Sequence, residues 1–183
     1  MNEAWVEGAR IVEPVELVVA SDEATEAFRL MTARQLDKAY RLAWAILGDA
    51  HEAEDATQDA FTSAWRNRKT LRDVDKLEAW LGRILVNTCR DRLRQRSRSR
   101  VQPLEIWSLP PVSDCSEVAS NRDELGRALA CLDPDHRIVV ILRFWADLTV
   151  EDIAQRVGIA EGTVKSRLHH SMSVLRSSLE AVR

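Results

Sequence analysis

Cysteine is scarce in this 183-residue chain and badly spaced for cross-linking: Cys89, Cys115 and Cys131 are odd in number, far apart and include no CxxC pair. That argues against a disulfide framework or a zinc site and fits a reducing compartment. His51, His136, His169 and His170 make no metal-ligand spacing with them. No glycine-rich phosphate loop is present, and no apolar run approaches the roughly 18 residues of a membrane span. The amino terminus is acidic and lacks the basic start and apolar core of a signal peptide. A cytoplasmic protein with no metal, no cofactor and no catalytic residues is expected. Tyrosine and phenylalanine are also few, one and three against six tryptophans, so the positions of the indoles carry the aromatic information.

The formal net charge of −3 conceals an asymmetry. Residues 1–28 carry a net of −6, residues 29–100 a net of +6, and residues 101–183 a net of −3. A protein that meets nucleic acid can be acidic overall when its bases are gathered on one face. The length admits one domain or two small ones.

The bases are gathered in the stretch from Leu77 to Arg100. At 100° per residue Leu77, Leu81, Ile84, Leu85 and Thr88 share one side, the mark of an amphipathic helix with a buried stripe. Arg83, Asn87, Arg90 and Arg94 line up on the other, with Trp80 at the border. From Arg90 to Arg100 every second residue is an arginine. A guanidinium and amide stripe bordered by an indole suits a phosphate backbone and an unpaired base. The plainer alternative is a core helix with a solvated basic face.

Before this helix, residues 1–20 read as an acidic tail. A helical pattern begins at Ser21, and Leu36, Tyr40, Ala43, Trp44 and Leu47 continue it until Gly48. Asp49 with Glu52 resembles a capping box opening a helix over 50–66. Ala53, Ala56, Ala60, Phe61 and Ala64 share one arc of that helix, so its buried face is small and can approach a neighbour closely. The opposite arc carries Asp55, Asp59, Thr62 and Arg66, with Gln58 at its edge, a face suited to a basic protein partner or simply to solvent. Residues 66–76 form a polar, mostly basic loop, and Asp75 and Glu78 are spaced to cap the next helix.

Pro103, Pro110 and Pro111 mark a linker over 101–119, in which Ile106 and Trp107 are expected to dock. Beyond it one helix is expected from Asp123 to Leu132. Asp133-Pro134 opens a second through Trp145, and Thr149 with Asp152 caps a third. Ala154, Gly158 and Val164, with Ile153, Val157 and Ile159, make the helix-turn-helix pattern. The last helix, about 161–180, presents Thr163, Ser166 and His170 flanked by Lys165 and Arg167, side chains suited to base edges and phosphates. The expected fold is all-α: a tail (1–20), a helical domain (21–100), a flexible linker (101–119) and a helix-turn-helix domain (120–183).

EAEDATQDAFTSAWR, AWLGRILVNTCRDRLR and LTVEDIAQRVGIAEGTVKSRLHHSMSVLR, in this order, resemble the extracytoplasmic-function group of bacterial RNA polymerase sigma factors. The resemblance implies a promoter-recognition subunit rather than an enzyme. It places Asp55, Gln58 and Asp59 against the clamp coiled coil of the polymerase largest subunit. It puts Trp80, Arg83, Asn87, Arg90 and Arg94 at the minus-ten element, with the 66–76 loop as a pocket for a flipped base. Thr163, Lys165, Ser166, Arg167 and His170 would meet the minus-thirty-five element. The flap of the second-largest subunit and an anti-sigma factor are further implied partners. Thr57 stands where a bulky aliphatic residue is usual, which predicts looser packing there. The rival readings are a one-component helix-turn-helix regulator and a helical hydrolase using Asp55 and Asp59.

Overall fold

The computed structural model describes residues 23–71, 73–98 and 118–180, and every α-helix or shorter helical turn in them follows in one all-helical order. The acidic tail and most of the linker, Ile106 and Trp107 included, lie outside the described residues. The helical pattern starting near Ser21 is two helices, α1 (Glu23–Ala33) and α2 (Leu36–Leu47). The break follows Thr32, whose hydroxyl donates to the carbonyls of Phe28 and Arg29 at 2.8 and 3.1 Å. The Gln35 N–H then closes a tight turn on Thr32 O, so side-chain and turn bonds compete with the helical ladder. In α2 the buried residues are Ala39, Leu42, Ala43, Ala45, Ile46 and Leu47, while Leu36 is 50% exposed. The buried arc is therefore rotated from the one expected. Gly48 ends the helix in the left-handed region at φ 74°, as a C-terminal glycine does at little steric cost.

In α3 (Ala50–Arg66), Asp49 accepts the Glu52 N–H at 2.7 Å, giving half of the expected box. The Glu52 carboxylate turns away to Arg96 at 2.5 Å. Ala53, Ala56, Ala60 and Ala64 are fully buried, and this narrow face lets α3 lie close against α2 and α4. Thr57 is buried with them, its hydroxyl donating to Ala53 O at 2.7 Å, so the polar group enters the core already satisfied. Two short 3₁₀ turns, Arg68–Thr70 and Val74–Lys76, lead into α4 (Leu77–Arg98). Asp73, rather than Asp75, supplies the side-chain acceptor there, taking the Asp75 N–H at 3.0 Å, and Glu78 is engaged by Lys38 at 2.6 Å. Leu77, Leu81 and Leu85 of the expected stripe are buried, joined by Val86, Cys89 and Leu93; Ile84 and Thr88 sit at its margin. Burial pushes the Cys89 thiol up to about 12, which makes it a packing residue and a poor nucleophile.

The second half starts earlier than expected. Helix α5 (Val118–Ala130) begins inside the stretch read as linker and stops short of Leu132. Its carboxyl end is finished by Arg137, which donates to Leu129 O, Ala130 O and Leu132 O at 2.9, 2.9 and 3.1 Å. Burial lowers this guanidinium to about 10, so it remains charged near neutrality. Helix α6 (Pro134–Phe144) opens on Asp133, which accepts the N–H groups of Asp135 and His136, with Pro134 in the first turn. Helix α7 (Val150–Val157) has the full Thr149–Asp152 capping box and ends at Gly158, φ 76°. Helix α8 (Glu161–Glu180) crosses it, and Ile138, Leu142, Ile153, Val157, Val164 and Leu175 fill the space between. The apolar cores of the two halves are continuous, because α4 packs on both α6 and α7.

Candidate polymerase and nucleic-acid interfaces

The alternating arginines of α4 separate by geometry. Two residues along an α-helix turn the side chain by about 200°, so neighbours in the run point to opposite sides and fourth neighbours realign. Arg92 and Arg96 face α3. Arg92 donates to Asp59 at 2.5 Å and lies 3.7 Å from Asp55; Arg96 binds Glu52 and donates to Leu47 O at 3.1 Å. Burial lowers the Arg92 pKa, but the Asp59 hydrogen bond and the charges of Asp59, Asp55 and Glu52 outweigh it and raise the value overall. Asp55, Gln58 and Asp59 remain exposed on the outer face of α3. Arg92 was not singled out as their neighbour, since the acids it meets are distant in sequence.

The other set faces elsewhere. Arg83, Asn87 and Arg94 are exposed on α4, and Arg90 donates to Asn87 Oδ1 at 3.3 Å. Arg90 itself is partly covered: its Nη2 donates to Val157 O at 3.2 Å, and its Nε lies 3.4 Å from Asp135 Oδ1. Arg94 reaches both oxygens of the same carboxylate at 3.3 and 3.2 Å. Burial lowers the Arg90 pKa; Asp135 opposes this and Arg94 and Arg167 add to it. Trp80 is half-buried and edge-on to Phe28, ring centroids 6.5 Å apart. Phe28 also meets Trp65, and the Arg68 guanidinium lies over the Trp65 ring, 4.0 Å from its centroid. This Trp65–Arg68 pair, at the start of the basic loop, escaped the sequence reading although its spacing was visible. Leu71, Lys76, Trp80 and Arg83 line a cleft of about 430 Å³ whose opposite wall is Asp152 and Arg156 of α7.

On α8, Thr163, Lys165, Ser166 and His170 are exposed together. Ser166 Oγ donates to Thr163 O at 3.0 Å, Lys165 lies 3.7 Å from Glu161, and the His170 ring approaches His136 with centroids 5.0 Å apart. Arg167 is not with them. It turns inward to donate to Asp135 at 3.1 Å, its side chain only 22% exposed. Among the described residues there is no group of three His, Cys, Asp or Glu side chains able to hold a metal, and no helix long and apolar enough to cross a membrane.

Residues 31–99 match the sequence profile of Sigma-70 region 2, and residues 128–177 that of Sigma-70, region 4. The chain is 34% identical over 149 residues to the ECF RNA polymerase sigma factor SigE of Mycolicibacterium smegmatis, a match spanning 78% of this chain and 58% of that protein. It is 33% identical over 145 residues to the RNA polymerase sigma-E factor of Streptomyces coelicolor, spanning 79% and 81%. In structure it is similar to the sigma factor RpoE of Bartonella quintana, solved with the anti-sigma factor NepR. The TM-score is 0.70 at 26% identity, over 86% of this chain and 99% of that one. The two profile matches, on an all-helical chain, thus define a two-region sigma-70-type protein, region 2 followed by region 4. The chain belongs to the extracytoplasmic-function family of RNA polymerase sigma factors. It is a transcription-initiation factor that directs RNA polymerase to promoters. The one-component regulator is set aside, because its first half is region 2 rather than a sensing or dimerising domain.

Proposed function

We propose that this sigma factor divides its work among three faces of two domains, 21–100 and 120–183, joined by the 101–119 linker. Asp55, Gln58 and Asp59 dock on the clamp coiled coil of the largest polymerase subunit. Trp80, Arg83, Asn87, Arg90 and Arg94 hold the minus-ten element and capture a melted base, with the 66–76 loop as the base pocket. Thr163, Lys165, Ser166 and His170 meet the minus-thirty-five element, and Arg167 joins them once released from Asp135. The flap of the second-largest subunit engages the second domain. The factor works in the cytoplasm, has no catalytic activity of its own and takes no cofactor.

The observation that carries this reading is the partition of α4. Arg92 and Arg96 lie against α3 and its acids, while Arg83, Asn87 and Arg94 leave that side entirely. Polymerase and DNA can therefore be held at once by one helical layer. An anti-sigma factor is a further proposed partner, on the analogy of the RpoE–NepR complex. The test is transcription with purified core polymerase on genomic fragments, with transcript starts mapped by sequencing. Starts that appear only when this protein is added, and that share two spaced elements, support the reading; no added starts overturn it.

A further inference from the structure

The cleft between α4 and α7 holds about 430 Å³. Small-molecule sites span roughly 300–1,000 Å³ and form preferentially where domains meet. The charges around this one are unevenly matched: Lys76, Arg83 and Arg156 line it against two carboxylates, Asp73 and Asp152. Both acids are already engaged. Asp73 accepts the Asp75 N–H at 3.0 Å and pairs with Lys76 at 3.6 Å. Asp152 accepts the Thr149 N–H and hydroxyl at 3.3 and 2.6 Å. Arg83 and Arg156 are left with no hydrogen bond or ion pair to any described residue.

Arg156 is the more telling of the two. Its guanidinium lies directly over Gly82 of α4, where a side-chain carbon would sit 2.7 Å from its Nη1 and 2.9 Å from its Cζ. Glycine weakens the interior of a helix, and here its bare backbone is what admits the charge. Burial lowers the Arg156 pKa, opposed by the charges of Glu78 and Asp152. Neither acid pairs with it, since Glu78 is held by Lys38 at 2.6 Å and Asp152 by its own cap. An enclosed guanidinium without a carboxylate is an unbalanced charge, and its fork suits a phosphate.

The remaining lining is of another character. The half-buried Trp80 indole stands there with Leu71 and Ala79, a surface for a flat apolar ring. The Thr70 hydroxyl donates to Asn67 O at 2.8 Å, which leaves its oxygen to accept. The Gln155 amide nitrogen donates to Glu151 at 3.4 Å, which leaves its carbonyl oxygen to accept as well. Two acceptors beside an indole match the exocyclic amine of a base such as adenine.

We propose that this cleft is a binding site for a free nucleoside phosphate, its base against Trp80 and its phosphate between Arg83 and Arg156. Its volume is that of a pocket for one small molecule rather than of a groove that tracks a strand. The inference stands on the cleft alone and not on the roles proposed above for α4 and α8.

Equilibrium dialysis of the full-length chain against radiolabelled ADP tests it, with every variant checked for helicity and melting. ADP should saturate a single site. Unlabelled pyrophosphate should compete about tenfold or more less well than ADP, the scale of stacking one base on an aromatic ring. Arg156→Gln should weaken ADP binding about tenfold, the scale of one charge-assisted hydrogen bond. Ala79→Phe, at an exposed helical position of the lining, fills the cleft while leaving every charge in place and should weaken binding at least as much. Arg176→Gln removes an exposed base of α8 outside the cleft and should bind as wild type does. No saturable binding at millimolar ADP overturns the site. Wild-type affinity in folded Arg156→Gln and Ala79→Phe places ADP elsewhere and overturns the cleft, and equal losses in Arg156→Gln and Arg176→Gln reduce it to general charge attraction. Pyrophosphate competing as well as ADP overturns the place of the base. An adenine trinucleotide with a terminal phosphate that competes better than ADP overturns a free nucleotide in favour of a strand.

Discussion

Removing the Asp59 carboxylate separates docking from folding. Asp59 is held by Arg92 at 2.5 Å, but its side chain is 61% exposed and that of Arg92 26%. An ion pair this open to water contributes about 0–1 kcal/mol, because solvent screens the attraction and two long side chains lose freedom. For a chain of this size 1 kcal/mol moves the melting temperature by about 2–4 °C. Asp59→Ala should therefore stay within that range of wild type. Asp59→Arg is a poorer probe, since it sets a like charge against Arg92 and confuses repulsion inside the chain with repulsion at the interface. At a protein interface, truncating one partner of a buried hydrogen-bonded charge pair costs about 2–5 kcal/mol. With tenfold per 1.4 kcal/mol, affinity for core polymerase should fall by about thirtyfold or more. The assay is competition of unlabelled variants against labelled wild type for purified core polymerase. Arg92→Met is the control: it breaks the same ion pair while leaving both acids in place, so it should share the small melting shift and retain affinity. Wild-type affinity in Asp59→Ala, or equal losses in the two variants, would refute direct docking by the carboxylate.

Other expectations follow from the same geometry. Asn87→Ala removes an exposed amide that neighbours Arg90 with little loss of volume; it should keep polymerase binding and lower open-complex formation, read by permanganate reactivity of thymines at a duplex promoter, and normal reactivity would make that face merely solvated. Arg137→Met withdraws the donor from three carbonyls at the end of α5 and should destabilise the protein by roughly 3 kcal/mol, measured by urea unfolding. The Asp133 carboxyl is affected first by burial, which raises it, but the hydrogen bonds and charge of His136 and the Asp135 N–H prevail and hold it below its ordinary value. A depressed folded value means that the cap stabilises α6 above the unfolded value of about 3.9 and loses that contribution as pH falls through the folded one. The melting-temperature gap between wild type and Asp133→Ala should accordingly be present at neutral pH and close on acidification; a gap independent of pH would exclude the ionised cap.

What could be read in advance was local, and what could not was set by partners far along the chain. The Asp49, Asp133 and Thr149–Asp152 caps each satisfy backbone groups within three residues, so composition and spacing suffice to find them. Gly48 and Gly158 are legible for the same reason, being the residues that take the left-handed conformation at helix ends. The α1–α2 break was missed because Thr32 is unremarkable in sequence and acts only through the carbonyls a turn behind it. The basic run shows the limit most clearly. Helical geometry alone sorts Arg90 and Arg94 from Arg92 and Arg96, and the first pair was correctly placed on one stripe. Nothing in that geometry says that Arg92 will meet Asp59, 33 residues away, or that Arg167 will turn inward to Asp135, 32 residues away. Those pairings depend on which helices pack together, and that is decided by small buried faces such as Ala53, Ala56 and Ala60 rather than by the charges themselves. Charge on a helix face thus tells where a polar partner is wanted. Only packing decides whether that partner is water, another part of the chain or a separate molecule, and in this structure the partner that Arg90, Arg94 and Arg167 find is one carboxylate of their own chain, Asp135.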